Sequence, residues 1–379
     1  MDEYSELYES TEDYGAKRSE LEWTSTASCT SPRKTTERSE VNVSIVVPAY
    51  NEAGNIRRLL TALLAQETKL ARIVEIVVVA SGCTDNTAEV AREIGRGRPG
   101  MHVHVQERRE GKVAAINAYL RMRDPRADVS VVCSADLDVA PDVIEKMVAH
   151  LRAHEDVGMV GARPVPNNDE GQLVGRMVRL LWELHHRVAL EVPKMGEIVA
   201  FRASLVEYVS ELSVVDEASI EDIVRAKGYS LGYVPDAIVT NHGPETMPEY
   251  FEQRRRVARG HYWLEFAFGY QVATLDRALL VKAVLETGRQ EDRFGKLALA
   301  AAIGTEVLAR AIGLWDARVV GGRHRTWRVL QSTKSLGDAV TNGVAVEAGS
   351  GVRSAPVDRP RRLSARPDAP EVEAWRRRP

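Results

Sequence analysis

The sequence predicts an α/β protein with a mixed, mostly parallel sheet that is flanked by helices and followed by a helical extension. Two observations predict the sheet. Short apolar runs rich in β-branched residues recur along the chain, and segments with helical spacing of apolar residues separate them. A third observation predicts the extension, because residues 278–285 and 297–315 have the spacing of amphipathic helices.

Predicted strands and helices alternate through the first half of the chain. The strands are predicted at residues 43–47, 75–80, 102–105 and 129–133. The helices are predicted at residues 55–64, 84–94, 112–122 and 141–150. The strands are apolar or alternate apolar with polar residues, and polar or turn-forming residues such as Pro48 end them. This alternation favours a parallel, doubly wound sheet, in which ligands bind beyond the carboxyl ends of the strands.

The composition is that of a globular protein with two charged ends. The chain has 379 residues, with 51 Lys and Arg against 54 Asp and Glu, and a net charge of −3. No basic excess is present, so we expect no nucleic-acid partner. Residues 1–40 are acidic and residues 346–379 are basic, and both are poor in apolar residues, which predicts disordered tails. A folded domain at residues 41–270 and the helical extension at residues 271–345 lie between them.

Cysteines and apolar segments indicate the compartment. The three cysteines show neither a disulfide framework nor metal-ligand spacing, which favours the reducing cytoplasm. A transmembrane helix needs about 18 or more apolar residues, and the best segment, residues 297–315, contains Glu306 and Arg310. We therefore predict no transmembrane span. Peripheral contact with the inner face of a membrane and packing against each other are the alternatives for these helices.

Polar clusters follow three of the predicted strands, at residues 49–52, 81–85 and 134–138. The last cluster contains Asp136 and Asp138, and such paired carboxylates can hold Mg²⁺ or Mn²⁺ together with phosphate oxygens. The alternative is an Asx-turn or a helix cap before Pro141. No glycine-rich phosphate loop follows a strand, so a nucleotide diphosphate would need a metal ion instead.

Seven segments occur in an order that resembles the family 2 glycosyltransferases, which have the GT-A nucleotide-sugar fold. The segments are VSIVVPAYNE (43–52), VVVASGCTDNT (77–87), GKVAAIN (111–117), ADLDVAP (135–141), GEIVAFRA (196–203), SIEDIVRAKGYSLGYVPD (219–236) and QRRRVARG (253–260). The resemblance implies an inverting, metal-assisted hexosyltransferase domain. It would move a sugar from a nucleotide-sugar donor, with UDP-sugars as the first expectation, to the hydroxyl of an unidentified acceptor.

The same resemblance implies roles for twelve residues. Asp222 is expected to be the general base, and Asp138 the ligand of a divalent metal ion. Those expected at the donor are Pro48, Tyr50, Glu52, Ser81, Asp85, Lys112 and Asp136. Those expected at the acceptor or the diphosphate are Glu221, Gln253 and Arg256. For Asp85 an N-cap is the alternative, and for Glu221 and Asp222 a helix-terminal acidic pair is the alternative.

Three positions depart from the family pattern. Ala80 and Ser81 stand where two aspartates are common in the family, which leaves the nucleobase of the donor open. Val257 stands where polymer-forming members have tryptophan. These substitutions support one other hypothesis, an inactive GT-A-fold binding or scaffold protein. A nucleotidyltransferase on the same fold is a further alternative, but Glu221-Asp222 and the pair Gln253 and Arg256 fit the glycosyltransferase better.

Overall fold

The computed structural model describes residues 40–211, 213 and 215–319. The two segments predicted to be disordered tails lie outside the described residues, except for Glu40, and so do residues 320–345 of the predicted extension. The division of the chain into domains therefore stays a prediction.

Eight strands form one sheet, in the order β3-β2-β1-β4-β7-β6-β8-β5. The strands are β1 (Val41–Ala49), β2 (Ala71–Ser81), β3 (Met101–Gln106), β4 (Val129–Cys133), β5 (Asp138–Val139), β6 (Val157–Pro166), β7 (Ile198–Arg202) and β8 (Ser230–Asn241). The helices are α1 (Ile56–Leu64), α2 (Thr87–Gly95), α3 (Lys112–Met122), α4 (Val143–Ala153), α5 (Leu173–Glu191), α6 (Asp216–Ala226), α7 (Met247–Phe268), α8 (Arg277–Gln290) and α9 (Arg293–Val319).

The sheet is mixed, as predicted. Strand β1 pairs in parallel with β2 and β4, and β2 pairs in parallel with β3. Strand β7 runs antiparallel to β4 and β6, whereas β6 and β8 are parallel. The four strands and four helices predicted in the first half are confirmed, with boundaries that differ by a few residues.

Helices cover both faces of the sheet. Each strand contributes side chains to both of these layers, because successive side chains of a strand point to opposite faces. In β1, Ile45 and Val47 pack with α1 and α4 on one face, and Val46 packs with α3 and α6 on the other. Strands that are buried on both faces need apolar residues at every position, which explains the unbroken apolar runs in the sequence.

Helices α5, α7, α8 and α9 form a layer of their own beyond the sheet. Two ion pairs connect α7 to α9: Arg254 Nε lies 2.7 Å from Glu306 Oε2, and Arg255 Nε lies 2.7 Å from Asp316 Oδ2. Within the described residues, α9 is the one helix long and apolar enough to cross a membrane, and a core helix of a soluble protein would have the same properties. The helices predicted at residues 278–285 and 297–315 are confirmed as α8 and α9.

Candidate active site

A cavity of about 760 Å³ lies where the carboxyl ends of β1, β2 and β4 meet the starts of α3 and α6. Nine residues that the sequence predicted for the site contribute to its lining. They are Pro48, Tyr50, Glu52, Ser81, Lys112, Asp136, Glu221, Gln253 and Arg256. The parallel pairing of β1 with β2 and β4 brings their ends to one edge of the sheet, as expected for this fold. Asp85, Asp138 and Asp222 do not line the cavity.

The turns after β1 and β2 are joined to each other. Asn51 adopts a left-handed backbone conformation with φ of 53°, and its side-chain oxygen accepts a 2.8 Å hydrogen bond from the Thr84 backbone N–H. The backbone N–H of Glu52 donates to Thr87 Oγ1 at 2.8 Å. These bonds hold Tyr50 and Glu52 at the edge of the cavity.

Asp85 stabilises these turns and does not reach the cavity. One of its oxygens accepts from the Ala53 backbone N–H at 3.1 Å, and the other accepts from the Thr87 backbone N–H at 3.1 Å. Burial would raise the pKa of Asp85, but the hydrogen bonds from Thr87 and Ala53 lower it overall. The placement favours the local, cap-like alternative over the predicted donor contact.

The end of β2 packs closely on the loop before α3. Ser81 Oγ accepts a 3.1 Å hydrogen bond from the Glu110 backbone N–H. Gly82 has φ of 63°, and a Cβ atom there would lie 2.2 Å from the backbone nitrogen of Arg109. The Arg109 guanidinium stacks over the Tyr50 ring at 4.1 Å from its centroid. Arg109 and Glu110 line the cavity but were not predicted, because no local pattern marks this loop as part of the site.

Lys112, the first residue of α3, connects the loop to the start of α6. Its Nζ lies 2.6 Å from Glu217 Oε1 and 2.9 Å from Asp216 Oδ2. Both acids line the cavity, and neither was predicted. The available signal was an acidic pair in the first turn of a helix, but the sequence contains a second such pair five residues later, at Glu221 and Asp222.

Glu197, Asp216 and Glu217 line the cavity together and are here called the acidic cluster. Their carboxyl groups differ in pKa. Burial and the charge of Asp136 raise the pKa of Glu197 to about 7. Burial and the charge of Glu217 likewise raise the pKa of Asp216 to about 7. For Glu217, burial favours protonation, but the Lys112 ammonium outweighs it and lowers the pKa. Glu217 is therefore ionised at neutral pH and can accept a proton.

Asp222, which the sequence predicts as the general base, lies half-buried on α6 and away from the cavity lining. Side chains four residues apart lie on one face of a helix, so Glu217 and Glu221 both reach the cavity, whereas Asp222 is rotated about 100° from Glu221. The acids of α6 that line the cavity are therefore Asp216, Glu217 and Glu221.

Glu221 lines the cavity but is held by other protein groups. One carboxylate oxygen accepts from the Met195 backbone N–H at 3.0 Å, and the other accepts from the Tyr270 hydroxyl at 2.6 Å. This geometry indicates that Glu221 connects α6 to the neighbouring loops, and it does not support direct contact with an acceptor.

Gln253 and Arg256 lie on the side of α7 that lines the cavity. Their neighbours Arg254 and Arg255 pair with acids on α9. Arg256 is half-buried, and the desolvation of its guanidinium lowers its pKa, whereas the charges of Glu197, Glu217 and Asp216 oppose that shift. Because arginine stays charged in proteins, Arg256 is a second cation at the acidic cluster.

The residues present fit a divalent metal ion. Asp136 lines the cavity, and Asp138 is exposed on β5, which pairs antiparallel with β8. In the described part of the chain no three His, Cys, Asp or Glu side chains form a complete metal site. Mg²⁺, however, is commonly held by one or two carboxylates plus substrate phosphates.

The family comparison agrees with this geometry. Residues 44–212 match the family model of "Glycosyl transferase family 2". This segment, which is less than half of the chain, is therefore similar to glycosyltransferase family 2. The match includes β1, β2 and β4 and the turns after them, which position Tyr50, Ser81 and Asp136.

Curated relatives match parts of the chain. A probable glycosyltransferase, YdaM, of Bacillus subtilis is 24% identical over 257 residues, which are 63% of this chain and 60% of the relative. An undecaprenyl-phosphate 4-deoxy-4-formamido-L-arabinose transferase of Shewanella sediminis is 33% identical over 121 residues, which are 31% of this chain and 35% of the relative. The chain thus spans 60% or less of the length of these relatives.

Among solved structures, the fold is similar to that of the mannosyltransferase PcManGT from Pyrobaculum calidifontis, which was solved with GDP-Man and Mn²⁺. The TM-score is 0.52 at 20% identity, and the match covers 81% of this chain and 92% of the other. This likeness confirms the GT-A fold.

Proposed function

We propose that this protein is an inverting glycosyltransferase that transfers a sugar from a nucleotide-sugar donor to an acceptor hydroxyl. A divalent metal ion and Lys112 would bind the diphosphate, and Glu217 would be the general base. The observation that carries the proposal is the contact between Lys112 and the acids Asp216 and Glu217, in the cavity that Asp136 also lines. A cation for phosphate and a carboxylate for a hydroxyl proton therefore lie side by side.

The donor would bind along the edge of the sheet. The Tyr50 ring and the Arg109 guanidinium offer flat surfaces on which the nucleobase of the donor could stack. Ser81 is neutral where the family often has aspartate. UDP-sugars remain the first expectation, and the GDP-Man bound by the structural relative makes GDP-sugars the next to test.

The metal ion would be Mg²⁺ or Mn²⁺, held by Asp136 and Asp138. When bound, such an ion neutralises the charge that develops on the leaving diphosphate. Lys112 would contact the same phosphates, at the N-terminus of α3, where the helix dipole favours anions.

Glu217 would accept the proton of the acceptor hydroxyl as its oxygen attacks the anomeric carbon. The bond between that carbon and the diphosphate oxygen breaks, and the nucleoside diphosphate leaves with the electron pair. Attack from the side opposite the leaving group inverts the anomeric centre. The lowered pKa of Glu217 keeps the base ionised before the reaction.

The experiment is a donor screen on the full-length chain. We expect one of the UDP-, GDP- or dTDP-sugars to raise the melting temperature in the presence of Mn²⁺, and to release its nucleoside diphosphate slowly. The variant Lys112→Met should weaken the thermal shift, whereas Lys146→Met, at a lysine on α4 that pairs with Asp142, should not.

The outcomes separate the three hypotheses. Donor binding without turnover, even with a panel of acceptors, would favour the scaffold protein. Release of pyrophosphate from a nucleoside triphosphate and a sugar phosphate would favour the nucleotidyltransferase. A cytoplasmic location, with or without contact to the inner face of a membrane, is proposed from the composition and is tested by fractionation of cells.

A further inference from the structure

The cavity continues beyond the acidic cluster into a second region, here called the apolar half. It lies between α5, α8 and α9. Its apolar lining residues are Leu181, Trp182, Leu280, Val281, Val284, Leu285, Ala302, Ile303 and Val307. On α8 and on α9 these residues recur at intervals of about one helical turn, so each helix presents one apolar face to the cavity. This region is therefore chemically unlike the polar region that receives the donor.

The apolar half reaches the surface of the described domain. Leu285 on α8 is 54% exposed and Val307 on α9 is 64% exposed, although both line the cavity. Apolar side chains are thus accessible both from solvent and from the cavity, as in an open groove. A hydrocarbon chain could lie there with one end outside and the other end at the acidic cluster.

A lysine stands between the two regions. Lys194, in the loop between α5 and β7, lines the cavity. Among the described residues Lys194 forms no ion pair within 4 Å, although the charges of Glu221 and Glu306 act on it from farther away. The nearby carboxylates are already engaged: Glu221 accepts hydrogen bonds from Met195 and Tyr270, and Glu306 accepts from both Arg254 and Arg310.

The charge balance at this junction favours an anion. Two arginines share Glu306, and Lys194 adds a further cation. The nearby histidines His185 and His261 are neutral, because burial lowers their pKa well below the usual range. Burial also lowers the pKa of Lys194 to about 8, which an anion bound beside it would counteract.

We propose that the acceptor is an amphiphile with a long hydrocarbon chain, which lies between α8 and α9, and with an anionic head group, which binds Lys194. The proposal rests on the function proposed above. It depends on two features together, the continuity of the apolar half with the acidic part of the cavity and the lysine at the junction, which forms no direct ion pair among the described residues.

The test uses the full-length chain and alkyl phosphates as probes, each below its micelle-forming concentration. Binding is followed by calorimetry with octyl, decyl and dodecyl phosphate. Affinity should rise about threefold for each added methylene group that enters the groove. Inorganic phosphate should bind far more weakly than dodecyl phosphate. In Lys194→Gln, dodecyl phosphate should bind no better than dodecyl maltoside, which has a neutral head group.

Four exposed positions give a matched set of variants. Leu285→Asp and Val307→Asp place a charge in the groove and should weaken dodecyl phosphate binding about tenfold or more. Leu297→Asp and Leu308→Asp are the controls. Both residues lie on α9 and are 61% and 54% exposed, but neither lines the cavity. All four proteins should keep the thermal shift with the nucleotide donor, so a failure here is distinguishable from a failure of the proposed function.

Several outcomes would overturn the proposal. Equal weakening by all four variants would indicate unspecific partition onto the apolar surface, or a surface that rests on a bilayer. No effect of Leu285→Asp and Val307→Asp would exclude the groove as the binding site. Lack of binding of dodecyl phosphate by the full-length chain, with the donor thermal shift intact, would exclude an anionic amphiphile as the acceptor.

Discussion

The Lys112 ammonium lies 2.6 Å from the Glu217 carboxylate, although 105 positions separate the two residues in the chain. Lys112 begins a helix on one side of the cavity, and Glu217 lies in the first turn of a helix on the other. The pair thus places a cation and an ionised carboxylate at one point of the cavity. Lys112 also contacts Asp216, but burial and the charge of Glu217 raise the pKa of Asp216, whereas Lys112 lowers the pKa of Glu217.

Replacing Glu217 by glutamine should abolish most of the transfer activity. Glutamine keeps the shape of the side chain but cannot accept a proton, and loss of a general base typically costs about 10²- to 10⁴-fold in rate. The measurement is the release of nucleoside diphosphate from the donor found in the screen. Asp222→Asn is the matched control and should retain near-normal turnover. The reverse result, with Asp222→Asn inactive and Glu217→Gln active, would restore the assignment predicted from the sequence.

Binding of the donor should depend on Mn²⁺ or Mg²⁺ through Asp136 and Asp138. We expect EDTA to remove most of the thermal shift, and Asp136→Asn and Asp138→Asn to raise the Mn²⁺ concentration needed for half of the shift by about tenfold or more. The control is Asp142→Asn, a half-exposed aspartate paired with Lys146 on α4. If donor affinity were the same in EDTA as in Mn²⁺, the metal site would be wrong.

Gly82→Ala should disrupt the donor turn. A Cβ atom at this position would lie 2.2 Å from Arg109 N, and the backbone has φ of 63°, so the loop that carries Arg109 and Glu110 must move. We expect loss of donor binding and a lower melting temperature. Gly97→Ala is the control, because Gly97 has φ of 76° but a Cβ atom there would meet no other atom within 4 Å, so it should cost only the conformational strain of about 1 kcal/mol. Equal melting temperatures and equal donor affinities for the two variants would contradict this account of the turn.

Glu306 should stabilise the layer of helices beyond the sheet. Its carboxylate binds Arg254 and Arg310, and removing one partner of a buried ion pair costs about 3 kcal/mol. Glu306→Gln should therefore lower the free energy of unfolding by roughly that amount. Glu252→Gln, at a half-exposed glutamate 3.9 Å from Arg255, should change it by less than about 1 kcal/mol.

The contribution of Glu306 should also depend on pH. Burial raises its pKa, but Arg254 and Arg310 outweigh burial and lower it from 4.5 to about 2. Because the unfolded chain binds the proton more readily, the stabilisation is present above pH 4.5 and is lost as the pH falls toward about 2. Urea unfolding should show a difference between wild type and Glu306→Gln that shrinks from pH 7 to pH 3. A constant difference would mean that the carboxylate charge is not what stabilises the helices.

Local patterns predicted much of the donor side. The strand that ends at Ala49 and the strand that ends at Cys133 are continuous apolar runs, and polar residues follow each of them directly. In a parallel sheet such ends meet, so Tyr50 and Asp136 could be placed in one site without coordinates. The helices α8 and α9 were likewise evident from their periodicity.

Local patterns could not show which acid of α6 is the better candidate for the general base. Asp216-Glu217 and Glu221-Asp222 are both acidic pairs on one helix, and no local signal ranks them. The contact with Lys112 supports our proposal of Glu217 from the first pair, and the hydrogen bonds from Met195 and Tyr270 hold Glu221 of the second pair.

The sequence by itself determined the α/β class, the order of the first strands and helices, and the similarity of residues 44–212 to glycosyltransferase family 2. These properties follow from the periodicity and turn chemistry of neighbouring residues. Only the tertiary structure decided that Glu217 faces Lys112, that Asp85 is used within a turn, and that the cavity extends between α8 and α9. Each of these depends on contacts between segments far apart in the chain, and the direction of a side chain there is set by the packing of whole elements.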